Sequence, residues 1–192
     1  KDYPLLAAVN RAANRIERHK ARVMKLEYVP SDSSKVTETV ILVGKGVTYD
    51  SGGANIKTQN DMAGMSRDKS GAAAVAGFIK DCSILKPPHL KVIGVLCLCR
   101  NSVGEDSYVS DELLISKSGK LVRVTNTDAE GRFAMADVFE MSELAAKELN
   151  PHIYTIATLT GHQLVCYGTY TAAMDNHSAR ATNHATRLQF SG

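Results

Sequence analysis

The seven residues from Asn126 to Arg132 constrain this chain more than any other segment does. They read Asn-Thr-Asp-Ala-Glu-Gly-Arg and lie between an apolar run typical of a strand and an apolar run typical of a helix. Asp128 and Glu130 carry carboxylates on this one turn, and such groups repel each other when both point at the same spot. A cation between them removes the repulsion. The segment therefore predicts a metal site, provided that other parts of the chain supply further ligands.

A second, upstream segment offers such ligands. The apolar run 40–43 predicts a buried strand, and the glycine-rich stretch from Gly44 to Gly53 predicts a loop that carries Lys45 and Asp50. Asp68 precedes an alanine-rich run that predicts a helix. A phosphate-binding P-loop is the alternative, but the glycine spacing that it requires ahead of a Lys-Ser/Thr pair is absent. We therefore favour the metal site.

Apolar periodicity predicts strands alternating with helices along the whole chain. The predicted helices are 5–16, 70–84 and the segment from the heptad to about 149, and the predicted strands are 24–28, 40–43, 92–98, 113–115, 121–124 and 153–159. This alternation indicates an α/β fold: a three-layer αβα domain with a mixed central sheet and helices on both faces. Ligand sites in such folds collect on loops at the carboxyl ends of strands.

Composition and charge exclude several classes of function. A net charge of +3 is too small to indicate a nucleic-acid or membrane partner. The 4 cysteines form no Cys-x-x-Cys pair, which favours a reducing environment, and we expect Cys97 and Cys99 to pack in a core strand. No apolar stretch is long enough to span a bilayer, and there is no signal-peptide pattern. These features favour a cytoplasmic protein.

Three segments, 44–57, 65–68 and 126–132, resemble the signatures of the leucyl (cytosol) aminopeptidase family of two-metal exopeptidases. They occur in that family's order and approximate spacing, and the similarity extends from Tyr3 to Asn176. The resemblance implies that residues 1–192 are a single, incomplete catalytic domain. An N-terminal domain and the C-terminal end of the catalytic domain would be missing. It also implies assembly as a hexamer in the full-length proteins.

The resemblance further implies a set of ligands for two divalent metal ions. These ligands are Lys45, Asp50, Asp68, Asp128 and Glu130, of which Asp50 and Glu130 would be shared between the ions. The charge count agrees, because four carboxylates balance two divalent ions if the lysine binds as an uncharged amine. The alternative is that the acids are surface residues or helix caps. Asp128, for instance, could cap the helix that follows it.

None of these proposed ligands is a histidine or a cysteine. Such an oxygen-rich set suits manganese, magnesium or cobalt as well as zinc. The family resemblance implies zinc or manganese.

The resemblance to the family also implies catalytic roles for two further residues. Lys57 would remain cationic and stabilise the oxyanion of the tetrahedral intermediate. Arg132 would hold a small anion such as bicarbonate, which serves as general base. The alternatives are an exposed charge for Lys57 and a structural ion pair for Arg132.

The resemblance also implies which residues line the substrate pocket. Met65, Thr158 and Gly161 would lie beside the first side chain of the substrate, and the backbone of Leu159 would lie near the substrate. For Met65 the alternative is ordinary core packing, which is common for a methionine ahead of a helix.

Together these features predict a metal-dependent aminopeptidase that removes the N-terminal residue of peptides through a water activated by a dinuclear metal centre. The alternative is a catalytically silent homologue or fragment that acts as a structural or association subunit. Metal content and hydrolysis of an aminoacyl amide would distinguish the two.

Overall fold

The computed structural model describes residues 2–139 and 145–191. The chain forms two compact units, Lys1–Thr158 and Leu159–Gly192, which are described separately.

The first unit is built on a mixed sheet. Its described residues contain the strands β1 (Arg22–Tyr28), β2 (Glu38–Asp50), β3 (Leu90–Asn101), β4 (Leu113–Ile115), β5 (Leu121–Arg123) and β6 (Pro151–Ile156). The main sheet has the order β1-β3-β2-β6, in which β1 is antiparallel to β3 and the other neighbours are parallel. Strands β4 and β5 pair as an antiparallel hairpin, as predicted.

Helices cover both faces of the main sheet. They are α1 (Pro4–Val9), α2 (Ser70–Leu85) and α3 (Glu130–Phe139). Successive residues of β2 point to opposite faces, so Leu42 packs in a cluster with Val75 of α2, whereas Val43 packs in a second cluster with Val9 of α1 and Val138 of α3. This arrangement confirms the predicted three-layer αβα fold. Cys97 and Cys99 are buried in β3, as expected.

The predicted glycine-rich loop starting at Gly44 is wrong, because β2 continues to Asp50. Gly44 does not turn the chain. It lets α2 approach the sheet, since a Cβ there would lie 2.7 Å from the Cα of Ala72. Lys45 therefore lies within a strand.

Two other predicted boundaries also differ. The predicted helix 5–16 ends at Val9, and a separate 3₁₀ turn, Ala12–Arg15, follows it. The buried Asn10 between them donates hydrogen bonds to the side chain of Asn14 and the carbonyl of His19, which holds the chain out of a continuous helix. Strand β6 ends at Ile156 rather than at residue 159. Part of the third predicted helix, residues 140–144, lies outside the described residues.

The second unit contains three short helices in its described part. They are α4 (Gly161–Tyr167), α5 (His177–Arg180) and α6 (His184–Ser191). None of the described residues of this unit is buried. Across the described chain, every helix is too short or too polar to cross a membrane.

Candidate metal centre

Three buried acids from separate elements converge in the first unit. Asp50 ends β2, Asp68 lies shortly before α2, and Glu130 is the first residue of α3. Each offers one carboxylate oxygen, and these oxygens lie within 4.8 Å of one another. An irregularity in the pairing of β2 with β3, between Val47 and Asp50, adjoins the cluster. Such bulges commonly redirect a side chain next to a functional site.

Lys45 lies between two of these acids. Its Nζ is 2.8 Å from Asp68 Oδ1 and 2.8 Å from Glu130 Oε1, and the lysine side chain is only 3% exposed. The same Nζ donates to the carbonyl of Thr158 at 2.8 Å. Burial alone would lower the pKa of Lys45, but attraction to Glu130 and Asp68 outweighs it, so the pKa is raised.

Lys57 pairs with the two predicted acidic ligands that Lys45 does not contact, Asp50 and Asp128. Its Nζ lies 3.0 Å from Asp50 Oδ2 and 2.6 Å from Asp128 Oδ1, and its side chain is 14% exposed. This excludes the alternative of an exposed surface charge. Burial lowers the pKa of Lys57, but hydrogen bonds to Asp128 and Asp50 reverse the effect and raise it. The structure thus brings the five predicted ligands and Lys57 into one connected cluster.

The crowding of carboxylates makes the cluster electrostatically costly. Burial raises the pKa of Glu130, and repulsion from Asp50 adds to it, while Lys45 opposes the shift. Burial also raises the pKa of Asp128, which Lys57 opposes and Asp50 reinforces. Positive charge brought among these oxygens would relieve the repulsion.

Two carboxylate oxygens of the cluster, Asp68 Oδ2 and Glu130 Oε2, are buried and have no hydrogen-bond partner among the described residues. A buried carboxylate oxygen without a partner is unfavourable unless a cation or proton satisfies it. Together with the oxygen-rich character of the cluster, this fits hard or borderline divalent cations.

Hydrogen bonds around Thr127 hold the heptad against the end of β2. The buried Thr127 hydroxyl donates to the carbonyl of Gly52 at 2.6 Å and accepts from the backbone N–H of Asn55 at 2.8 Å. The side-chain oxygen of Asn55 accepts from the backbone N–H of Thr127 at 2.8 Å. Tyr108 donates to the carbonyl of Thr127 at 2.6 Å. These contacts fix the turn that carries Asp128 and Glu130.

The cap of this turn is Asn126 rather than Asp128. The side chain of Asn126 accepts from the backbone N–H of Asp128 at 2.8 Å at the start of the 3₁₀ turn Thr127–Ala129. The alternative role for Asp128, capping a helix, is therefore filled by its neighbour. Its carboxylate contacts Lys57 instead.

The predicted substrate residues divide between the two units. Thr158 lies beside the cluster, where its hydroxyl donates to Asp68 Oδ1 at 2.7 Å. Met65 is half-buried in the 3₁₀ turn Met65–Arg67, which immediately precedes Asp68. Leu159 and Gly161 belong to the second unit, in which Gly161 begins α4.

Arg132 lies on α3, two positions after Glu130, and its side chain is exposed. It forms no ion pair with any residue that the structure describes. The alternative of a structural ion pair therefore has no support in the described chain.

Sequence reasoning missed the polar residues that support the cluster. Asn55 and Thr127 lie inside the recognised segments 44–57 and 126–132 but were given no role, and Asn101 and Tyr108 lie outside the recognised segments. One signal could have identified Asn101, because it follows an apolar run at the carboxyl end of a buried strand, where ligand sites occur.

Comparisons with known proteins agree with this geometry. The catalytic domain of the cytosol aminopeptidase family matches residues 1–189. A Caenorhabditis elegans protein, provisionally named as an aminopeptidase, is 49% identical over 190 residues, which cover 98% of this chain and 36% of that protein. A probable cytosol aminopeptidase of Aquifex aeolicus is 43% identical over 154 residues, covering 80% of this chain and 30% of that protein.

Solved structures match as well. Leucyl aminopeptidase from Trypanosoma brucei, in complex with actinonin, superposes with a TM-score of 0.82 at 34% identity, covering 94% of this chain and 34% of that chain. The chain thus spans about a third of the length of the relatives it matches. On this agreement of sequence, fold and clustered acids, the chain belongs to the cytosol aminopeptidase family.

Proposed function

We propose that this chain carries the metal centre of an aminopeptidase that hydrolyses the N-terminal residue of peptides. The observation that supports the proposal best is the convergence of Asp50, Asp68 and Glu130, whose oxygens lie within 4.8 Å of one another. Acids buried this closely are unfavourable by themselves, and they are explained by cation binding. Membership of the family supplies the reaction class.

The proposed ligands are the five residues that sequence analysis identified. Lys45, Asp50, Asp68, Asp128 and Glu130 would hold two divalent ions, zinc or manganese, with Asp50 and Glu130 shared between them. When bound, such ions supply Lewis acidity, which polarises the scissile carbonyl and lowers the pKa of the attacking water. Lys45 would contribute a neutral amine, since two nearby dications disfavour its ammonium form.

Lys57 is proposed to stabilise the developing oxyanion. It is held at the cluster by Asp50 and Asp128, at 3.0 and 2.6 Å, so its position is fixed before substrate arrives. A preorganised cation stabilises charge in the transition state without reorganising during the reaction. Burial lowers the pKa of Lys57, but hydrogen bonds to Asp128 and Asp50 raise it above its ordinary value, which favours the charged form.

Arg132 is proposed to bind a small anion. Arg132 is exposed, and no ion pair joins it to another residue that the structure describes. A planar anion such as bicarbonate would match the donor geometry of the side chain. Such an anion could accept the proton of the attacking water.

The substrate side of the site is proposed to include Met65, Thr158, Leu159 and Gly161. Support is direct for Thr158, whose hydroxyl contacts Asp68, and positional for Met65, which precedes Asp68 by one 3₁₀ turn. For Leu159 and Gly161 the support is the family resemblance alone.

The test combines metal content with hydrolysis. The purified chain is loaded with Mn²⁺, desalted and analysed for manganese, and hydrolysis of leucine amide is then measured with and without added Mn²⁺. Glu130→Gln removes one proposed ligand. Glu112→Gln is the matched control, because Glu112 pairs with Arg11 at 2.7 Å and is not one of the proposed ligands.

We expect about two manganese ions per chain for the unaltered protein and for Glu112→Gln. Glu130→Gln should retain fewer ions and lose hydrolysis. Full manganese content and turnover in Glu130→Gln would refute the proposal. Two bound ions without hydrolysis in the unaltered chain would favour the catalytically silent homologue.

A further inference from the structure

We infer that Asn101 is a positioning residue that fixes the orientation of the Asp50 carboxylate for metal binding. The inference rests on the proposed function. Asn101 is the last residue of β3, is fully buried, and lies beside the end of β2. The backbone N–H and the hydroxyl of Ser51 both donate to its carbonyl, at 3.0 and 2.8 Å, so the two strand ends are held together.

The side-chain amide of Asn101 has one possible orientation. Its Nδ2 donates to Asp50 Oδ1 at 2.8 Å and to the carbonyl of Thr127 at 3.0 Å. A flipped amide would place its oxygen against these two acceptors, which repel it. The amide therefore ties the end of β2 to the heptad segment through β3.

The amide oxygen indicates that this arrangement is not set by stability alone. Asn101 Oδ1 is buried and has no hydrogen-bond partner among the described residues. An unsatisfied buried acceptor is unfavourable, and a residue that only filled the core would avoid it. The two donated bonds are the feature that an apolar residue could not replace.

The bond donated by Asn101 gives the two carboxylate oxygens of Asp50 different partners. Oδ1 accepts from Asn101 and from the backbone N–H of Gly52 at 2.9 Å, so two neutral donors hold it. Oδ2 faces the cationic Lys57 at 3.0 Å. With one oxygen held in this way, the plane of the carboxylate is set before any metal binds. Replacing a residue that orients a metal ligand in this manner typically weakens metal affinity by about 10–100-fold.

The test compares two buried asparagines. Asn101→Leu removes both donated bonds while keeping the number and branching of the side-chain heavy atoms. Asn10→Leu is the matched control, since Asn10 is equally buried and uses its side chain for bonds to Asn14, His19 and the backbone N–H of Arg100, none of them proposed ligands. Mn²⁺ affinity is measured by calorimetric titration of the full chain, and melting temperature is measured in EDTA.

We expect Asn101→Leu to bind Mn²⁺ about 10–100-fold more weakly, and Asn10→Leu to bind it with unchanged affinity at a comparable loss of melting temperature. If the leucine variants fold poorly, the pair Asn101→Ser and Asn10→Ser avoids the added bulk of leucine at these buried positions and should separate in the same way. Unchanged affinity in the Asn101 variants would overturn the inference. Equal losses at both positions would also overturn it, because they would reflect general destabilisation.

The result also separates this inference from the proposed function. If the unaltered chain binds no Mn²⁺, the metal centre itself is refuted, and the role of Asn101 falls with it. If the unaltered chain binds Mn²⁺ and the Asn101 variants bind it equally well, only the positioning role is wrong.

Discussion

Lys45 donates a hydrogen bond to Glu130 across the interior, with Nζ and Oε1 2.8 Å apart. Residue 45 follows the alternation of β2, so it points to the same face as Val43 and Val47, which are buried in the core on the α1 and α3 side. An apolar residue would satisfy that pattern at lower cost, because a buried ion pair must overcome the desolvation of both charges. The presence of Lys45 at this buried position is therefore better explained by a role in the proposed metal centre than by a contribution to folding stability.

Metal binding should stabilise the folded chain measurably. A ligand that binds only the native state at one hundred times its Kd adds about 2.7 kcal/mol, which corresponds to a rise of roughly 5–10 °C in melting temperature for a chain of this size. We expect a rise of this size when saturating Mn²⁺ replaces EDTA in a calorimetric scan. Glu130→Gln should lose most of it. An equal rise in that variant would place the bound manganese elsewhere.

The two lysines of the cluster should have separable roles. Lys57→Gln removes the proposed oxyanion cation, and we expect kcat to fall by roughly 10²–10³ with manganese content retained. Lys45→Gln removes a proposed ligand, and we expect manganese content to fall. Metal analysis and steady-state hydrolysis of leucine amide measure both effects. Wild-type kcat in Lys57→Gln would contradict the oxyanion role.

The layers of the fold and the convergence of acids could be predicted because both depend on strong local patterns. The apolar runs of β2 and β3 predicted buried strands, and carboxylates crowded on one turn predicted a cation. The length of β2 could not be predicted in this way. A glycine that turns the chain and a glycine that lies beneath a helix look alike in sequence, and Gly44 is of the second kind.

The supporting hydrogen bonds could not be predicted for a different reason. Asn101 and Thr127 act through contacts with residues far away in the chain, such as Asp50 and Gly52. Pair contacts of this kind leave no periodic or spaced pattern. They became visible only once the ends of β2 and β3 and the heptad were placed side by side.

Two glycines of α2 should respond oppositely to alanine. A Cβ on Gly71 would lie 2.0 Å from the carbonyl oxygen of Ile156, whereas a Cβ on Gly77 has no atom within 4 Å. We expect Gly71→Ala to lose about 1–3 kcal/mol of unfolding free energy through overpacking of α2 against β6. Gly77→Ala should gain about 0.5–1 kcal/mol through helix propensity.

Urea unfolding of both variants measures these changes. Because Asp68 lies just before α2, displacement of the helix by Gly71→Ala should also weaken manganese binding, whereas Gly77→Ala should leave it unchanged. A neutral Gly71→Ala would contradict the close contact between α2 and β6, and a destabilising Gly77→Ala would contradict the open space at Gly77.

The ion pair between Arg11 and Glu112 should make stability depend on acid pH. The two side chains form two hydrogen bonds, at 2.7 and 2.9 Å, which connect the segment after α1 to the start of the β4–β5 hairpin. The hydrogen bonds from Arg11 hold the pKa of Glu112 below its ordinary value of 4.5. A carboxyl whose pKa is lower in the folded than in the unfolded chain stabilises the fold above the unfolded pKa, and the effect is lost as pH falls through the folded value.

Glu112→Gln removes this titration and nearly preserves the shape of the side chain. At pH 7 we expect the variant to be less stable than the unaltered chain by about 1 kcal/mol or less, since the pair is partly exposed. Below about pH 4.5 the difference should shrink towards zero as Glu112 becomes protonated. Glu105→Gln is the control, because Glu105 pairs with Arg15 at an exposed site and should change stability little at either pH. Urea midpoints from pH 3 to 7 measure the effect, and a constant difference across that range would show that the charge of Glu112 contributes nothing.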